Sequence, residues 1–259
     1  MTPRLLASLA AAVFALALVP LGPARAQATQ PAAKHALIVL TNHADLGDTG
    51  RATGFYLSEA AHPWHVFKRA GFEVSLASPM GGDAPIDPTS LDRTDPVNAA
   101  FLDEYASGNA VPTRPLNDVD PASIDAIFFA GGHGTMFDFP QCPAVKAKTA
   151  AVYERGGVVG AVCHGPAALV DVTLADGSHL VDGKRVAAFT NAEERAVELT
   201  DAMPFLLQTT LQERGAEFVP APNFEANVVV DERLVTGQNP ASAEGAAEAI
   251  VVLLNVSPD

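Results

Sequence analysis

The chain has 259 residues, 48% of them hydrophobic, and its 30 acidic against 16 basic residues give a formal net charge of −14. That surplus of negative charge argues against nucleic acid or an anionic membrane surface as a partner. Two cysteines, Cys142 and Cys163, make no disulfide framework.

Residues 1–26 carry Arg4, an apolar run from Leu5 to Val19, and Ala24-Arg25-Ala26 ahead of Gln27. This is the charged, apolar and small-x-small order of a cleavable signal peptide. The run is too short for a comfortable membrane span and none follows it. The expectation is a periplasmic or secreted chain of residues 27–259, without membrane attachment after cleavage. Loss of Arg4 and Arg25 takes the net charge to −16. The remaining length of about 230 residues suits one large α/β domain and hardly two.

Short apolar runs then alternate with helical patterns. His35 to Leu40, Glu73 to Ala77, Ala126 to Ala130 and Val158 to Val162 are expected core strands. Pro63 to Ala70, Cys142 to Arg155, Pro166 to Val170, Pro204 to Arg214 and Ala241 to Asn255 are expected helices. Val186 to Phe189, Asn227 to Val230 and Leu234-Val235 supply later strands, the last two as a hairpin around Asp231-Glu232. Alternation of this kind predicts an α/β fold with a mostly parallel sheet covered on both faces. The Pro-, Gly- and Asp-rich segment 79–121 is too long for an ordinary connection. It is expected to be an elaborated insertion with one helix near Val97 to Ala106, inside a single domain spanning 27–259.

The stretch Gly160-Ala161-Val162-Cys163-His164-Gly165-Pro166 carries the strongest chemical signal. An apolar strand running into Cys-His-Gly-Pro has the strand–turn–helix pattern of a nucleophile elbow. There Cys163 stands at the carboxyl edge of the sheet, near helix N-terminal N–H groups that lower a thiol's pKa, with His164 beside it as proton carrier. In an oxidising compartment, a bridge to Cys142 would silence it. Gly131-Gly132-His133-Gly134-Thr135 follows another strand, and its glycines allow N–H groups close to an oxyanion. His133 either lines the site or braces the loop. No GxGxxG or P-loop lysine suggests nucleotide. Glu59, after the first strand, is either a solvated helix-start residue or a proton relay buried among Phe55, Tyr56 and Trp64. Thr190 to Glu194 lies beyond a later strand, where a carboxylate can orient His164. His62 and His65 have metal-compatible spacing but no evident cysteine or carboxylate partner, so no metal is expected.

In these blocks the chain resembles the ThiJ/PfpI family of the class I glutamine-amidotransferase-like superfamily, and most of all its branch of glutathione-independent glyoxalases and heat-shock-type holding chaperones. The resemblance runs from Ala36 to Leu254. It rests on Thr53-Gly54 through Glu59 with Pro63, Ala77-Ser78-Pro79, Ile86-Asp87-Pro88, Gly132-His133-Gly134-Thr135 with Asp138, Ala161 to Pro166, Phe189-Thr190 with Glu193-Glu194, and Leu234 to Ser242. It implies a flavodoxin-like three-layer sandwich, with Cys163 as nucleophile, His164 as its partner, Glu59 as protonating glutamate and Glu194 as the acid that orients the histidine. Gly132, His133, Gly134 and Gly165 are the implied oxyanion and substrate-binding positions. It also implies a cofactor-free conversion of small 2-oxoaldehydes such as methylglyoxal to 2-hydroxy acids, and suggests a homodimer. A holding chaperone binding unfolded clients, or a cysteine hydrolase with a different pocket, are the competing expectations. The exported leader departs from the intracellular habit of familiar relatives.

Overall fold

The computed structural model describes residues 33–255; the signal-peptide expectation lies outside them. The strands in chain order are β1 (His35–Val39), β2 (Glu73–Ser78), β3 (Gly82–Pro85), β4 (Ala110–Pro115), β5 (Ala126–Phe129), β6 (Val158–Val162), β7 (Arg185–Val186), β8 (Glu217–Phe218), β9 (Val228–Asp231) and β10 (Leu234–Gly237). The helices are α1 (Leu57–Arg69), α2 (Pro96–Tyr105), α3 (Thr135–Asp138), α4 (Pro143–Glu154), α5 (Asn191–Ala196), α6 (Leu207–Glu213) and α7 (Ala243–Asn255). Among the described residues, no helix is long and apolar enough to cross a membrane.

Eight strands form one sheet in the order β3-β4-β2-β1-β5-β6-β10-β9. Every pairing from β4 across to β10 is parallel, and the outer strands β3 and β9 run antiparallel. Side chains alternate along β1: Ala36 and Ile38 enter one core with α1 and α7, while Leu37 and Val39 enter the other with α4 and α6. Burial on both faces is why these strands read as unbroken apolar runs. The result is the expected three-layer α/β sandwich.

Three expectations need correction. Helix α1 starts at Leu57, and Pro63 lies inside it. Burial of Leu57, Glu59, Ala60, Ala61 and Trp64 on this helix outweighs the hydrogen bond that a proline removes. The 186–189 run does not enter the main sheet: only Arg185 and Val186 pair, with β8. Beyond them Ala187 donates its N–H to Thr236 Oγ1 (2.9 Å) and Phe189 to the Cys163 carbonyl (2.9 Å), so the run is used to buttress the elbow. The 79–121 segment holds its expected helix as α2, and also two strands, β3 and β4, that extend the sheet.

Candidate active site

The parallel direction of β1, β5 and β6 brings three loops to one edge, where open α/β sheets place ligands. Cys163 follows β6 with φ +61°, the left-handed turn of the elbow. Its N–H donates to Gly237 O and its carbonyl accepts from Phe189 N, both at 2.9 Å, so neighbours on either side hold the strained turn. A helix of the 3₁₀ type, Gly165–Leu169, follows in place of an α-helix.

His164 is fully buried, with Nδ1 3.4 Å from the Cys163 sulfur and Nε2 2.8 Å from Glu194 Oε2. His133 Nε2 lies 3.2 Å from Glu194 Oε1, and the two imidazole rings stand 4.2 Å apart. Burial alone would raise Glu194, but its hydrogen bonds with His133 and His164 outweigh that and hold the carboxyl down to about 2. A charged carboxylate accepts only, so His164 donates its Nε2 proton and turns an unprotonated Nδ1 toward the sulfur. Burial, helped by the neighbouring His133, lowers the His164 pKa and keeps this ring neutral.

Glu59 is the third residue of α1 and wholly buried. Its Oε2 accepts from Gly131 N–H at 2.8 Å, and its carboxyl faces the Cys163 thiol. Burial raises it to about 8, against the nearby Cys163 thiol and the Gly131 hydrogen bond, and its Oε1 has no hydrogen-bond partner among the described residues. A side chain at 131 would stand 2.6 Å from Glu59 Oε2 and 2.7 Å from His164 N, so glycine alone lets three elements meet there.

The thiol departs from expectation. Burial pushes Cys163 well above its ordinary value and a charged Glu59 would push it further, while Gly132 and His164 N–H groups pull the other way. The short 3₁₀ turn has too little aligned dipole to reverse the desolvation. Sulfur and carboxyl are therefore two acids that resist ionising together.

Of the glycine-loop positions, Gly132 and His133 line the cavity, whereas Gly134 and Gly165 do not. A side chain at 165 would meet Phe129 O at 2.2 Å, so this glycine serves strand-to-turn packing. The second N–H facing the sulfur belongs to His164. Cys142 and Cys163 are both free thiols. His62 does have a carboxylate partner, Asp95 at 2.9 Å from the 79–121 segment, and is engaged in that hydrogen bond. His133, His164 and Glu194 place three potential metal-ligand atoms within 4.8 Å, but hydrogen bonds among themselves already engage them.

Sequence reasoning missed Phe189, Val197, Leu199 and Phe224, which wall the cavity of about 340 Å³ above Cys163. It also left the division of labour between Glu193 and Glu194 to resemblance. The spacing Thr190-x-x-Glu193 of a capping box was the available signal. Glu193 Oε2 accepts from Thr190 N (2.9 Å), and its Oε1 accepts from Phe224 N (2.8 Å) and Asn239 Nδ2 (2.9 Å).

The family model described as DJ-1/PfpI matches residues 51–252, a span that includes Glu59, the elbow and Glu194. The chain belongs to the DJ-1/PfpI family. It is 33% identical over 229 residues to glyoxalase 3 of Candida albicans, covering 83% of this chain and 96% of that protein. It is 30% identical over 227 residues to the glutathione-independent glyoxalase HSP31 of Saccharomyces cerevisiae, with the same two coverages. The crystal structure of C. albicans glyoxalase III superposes with a TM-score of 0.77 at 31% identity, covering 85% of this chain and 97% of that one. Rapid encystment protein of 24 kDa from Francisella tularensis gives 0.81 at 39% identity, covering 86% of this chain and all of that one. This DJ-1/PfpI member thus shares its fold with the C. albicans glyoxalase over 85% of its length.

Proposed function

We propose that the protein is a glutathione-independent glyoxalase converting methylglyoxal and similar 2-oxoaldehydes to 2-hydroxy acids. The observation that carries the reading is the placement of a neutral His164 Nδ1 and a proton-bearing Glu59 on the same buried sulfur. The names of the similar proteins support it.

The thiol adds to the aldehyde carbon, giving its proton to His164 Nδ1 while Glu59 protonates the aldehyde oxygen, and a hemithioacetal results. Glu59, now ionised, removes the C1 proton. The electron pair moves to the C2 carbonyl, whose oxygen takes the proton from His164 to give an enediol. Glu59 returns a proton to C2 and, again a carboxylate, takes back the C1 hydroxyl proton, which leaves a 2-hydroxy thioester and restores the protonated Glu59. C1 is oxidised and C2 reduced within one molecule, so no external electron carrier enters the balance. Water then cleaves the thioester to the 2-hydroxy acid and restores the thiol. The Gly132 and His164 N–H groups beside the sulfur can hold the oxyanions along this path.

The deciding assay is lactate formation from methylglyoxal without glutathione, in wild type and Cys163→Ser. Lactate that vanishes with the thiol, and persists in Cys142→Ser, is the expected result. No lactate, or lactate from Cys163→Ser at the wild-type rate, overturns the reading. Protection of unfolded clients that survives Cys163→Ser would mark a holding activity independent of this site.

A further inference from the structure

The cavity has two chemically distinct halves. Cys163, His164 and His133 line one part; Leu46, Phe189, Val197, Leu199 and Phe224 give the cavity an apolar wall, with Arg51, Tyr56, Asp87 and Thr89 as its further polar residues. A volume of about 340 Å³ lies in the range of pockets that hold ligands larger than a three-carbon dicarbonyl. Methylglyoxal offers one methyl group to that wall and leaves most of it facing water.

Phe224 shows that the wall is more than leftover core. Its φ is +63°, a conformation in which a bulky side chain is strained and glycine is not. Its ring is 51% exposed, so burial recovers little of the strain. The backbone is nevertheless held there by the bond from its N–H to Glu193, and the ring stands 6.3 Å from Phe189 at the cavity mouth. The turn Pro222–Glu225, closed by the Glu225 N–H on Pro222 O, calls for a positive φ at this position, where glycine or asparagine is usual; a half-exposed phenylalanine in their place points to a task at the site it overhangs.

We propose that the preferred substrates are 2-oxoaldehydes whose carbonyl substituent is a branched aliphatic or aromatic group, seated on Phe189, Val197, Leu199 and Phe224. The inference rests on the glyoxalase reading and narrows its substrate class. The dicarbonyl end lies at the sulfur, and the apolar substituent points outward along the partly exposed wall, where its added carbons together contribute about 10-fold or more to kcat/KM.

The test compares kcat/KM without glutathione for methylglyoxal, 4-methyl-2-oxopentanal and phenylglyoxal, following the 2-hydroxy acid formed. Wild type should favour the two larger aldehydes by at least about 10-fold. In Phe224→Gly the ratio of large to small substrate should fall at least about 5-fold, chiefly through KM, with no loss in Tm because glycine suits the backbone. Val197→Ala should lower the same ratio by a smaller factor. Methylglyoxal turnover with no preference for the larger aldehydes, or a ratio unmoved by Phe224→Gly, overturns the inference and leaves the glyoxalase reading standing. Turnover of none of the three overturns both.

Discussion

Glu59 is wholly buried and keeps a proton that ordinary glutamates have lost, which couples turnover and stability to one group. In single-turnover lactate formation, Glu59→Gln should still add the aldehyde yet lose about 10²–10⁴-fold in the proton-transfer step; a near-normal rate would reduce Glu59 to a packing residue. The same substitution has a pH signature. The folded carboxyl ionises at about 8 and the unfolded one at 4.5, so the folded state binds more protons between these values. Wild-type stability relative to Glu59→Gln should therefore fall as pH rises from 4.5 to 8, by on the order of a few kcal/mol. A pH-independent difference in urea midpoints would contradict the buried, protonated carboxyl. Glu194 behaves oppositely, its contribution being present above pH 4.5 and lost as pH falls toward 2. Its two oxygens each face a different imidazole, which an amide matches only if His133 changes tautomer, because the glutamine NH₂ would then have to donate to one of the two ring nitrogens. Glu194→Gln should cost about 10²–10⁴-fold in kcat. Adding His133→Ala should restore part of that loss by freeing the amide oxygen for His164, and a strictly additive double variant would disprove the competition. Residue chemistry at the elbow was readable from Cys163-His164, but the second imidazole on Glu194 was not, because no local pattern ties residue 133 to residue 194.

Helix α5 is six residues long, and its two adjacent glutamates have different tasks: Glu194 faces the histidines, while Glu193 closes the capping box and ties in the loop before β9 through Phe224 and Asn239. Glu193→Ala leaves several buried or half-buried donors without acceptors and should lower stability by about 3 kcal/mol in equilibrium urea unfolding; a change below about 0.5 kcal/mol would show that water replaces these bonds without penalty. The legibility of the elements follows their burial. Strands β1, β5 and β6 are covered on both faces and announce themselves as apolar runs. Strands β3 and β4 carry Pro85, Pro112 and Pro115, which disguise them as loop; β3 is outermost, and β4 meets β2 at only two positions, where proline is tolerated. The start of α1 was misplaced because Pro63 resembles a first-turn proline, and only tertiary burial of Leu57 and Glu59 shows that the helix is already under way.

For the whole molecule, we propose from the signal-peptide pattern of residues 1–26 that the protein is exported: intact-mass analysis of the protein from its own host should find a chain beginning at Gln27 or within a residue or two, and a mass retaining Met1 through Ala26 would refute it. At −14, the chain carries an excess of one sign of charge, which disfavours association with anionic partners. The bonds that set the reacting groups also have an order in time. Glu59 is seated by Gly131, the Cys163 turn is closed by Phe189 and Gly237, and Glu193 is completed by Asn239, so the site spans about two thirds of the sequence. Contacts this remote in the chain form late. A refolding molecule should accordingly pass through no half-active stage: recovered turnover should coincide with or trail the fluorescence of Trp64, the chain's one tryptophan, and should never lead it. A newly made chain would then keep its sulfur without its proton partners until the final strand has docked, so that the chemistry switches on only when folding is over.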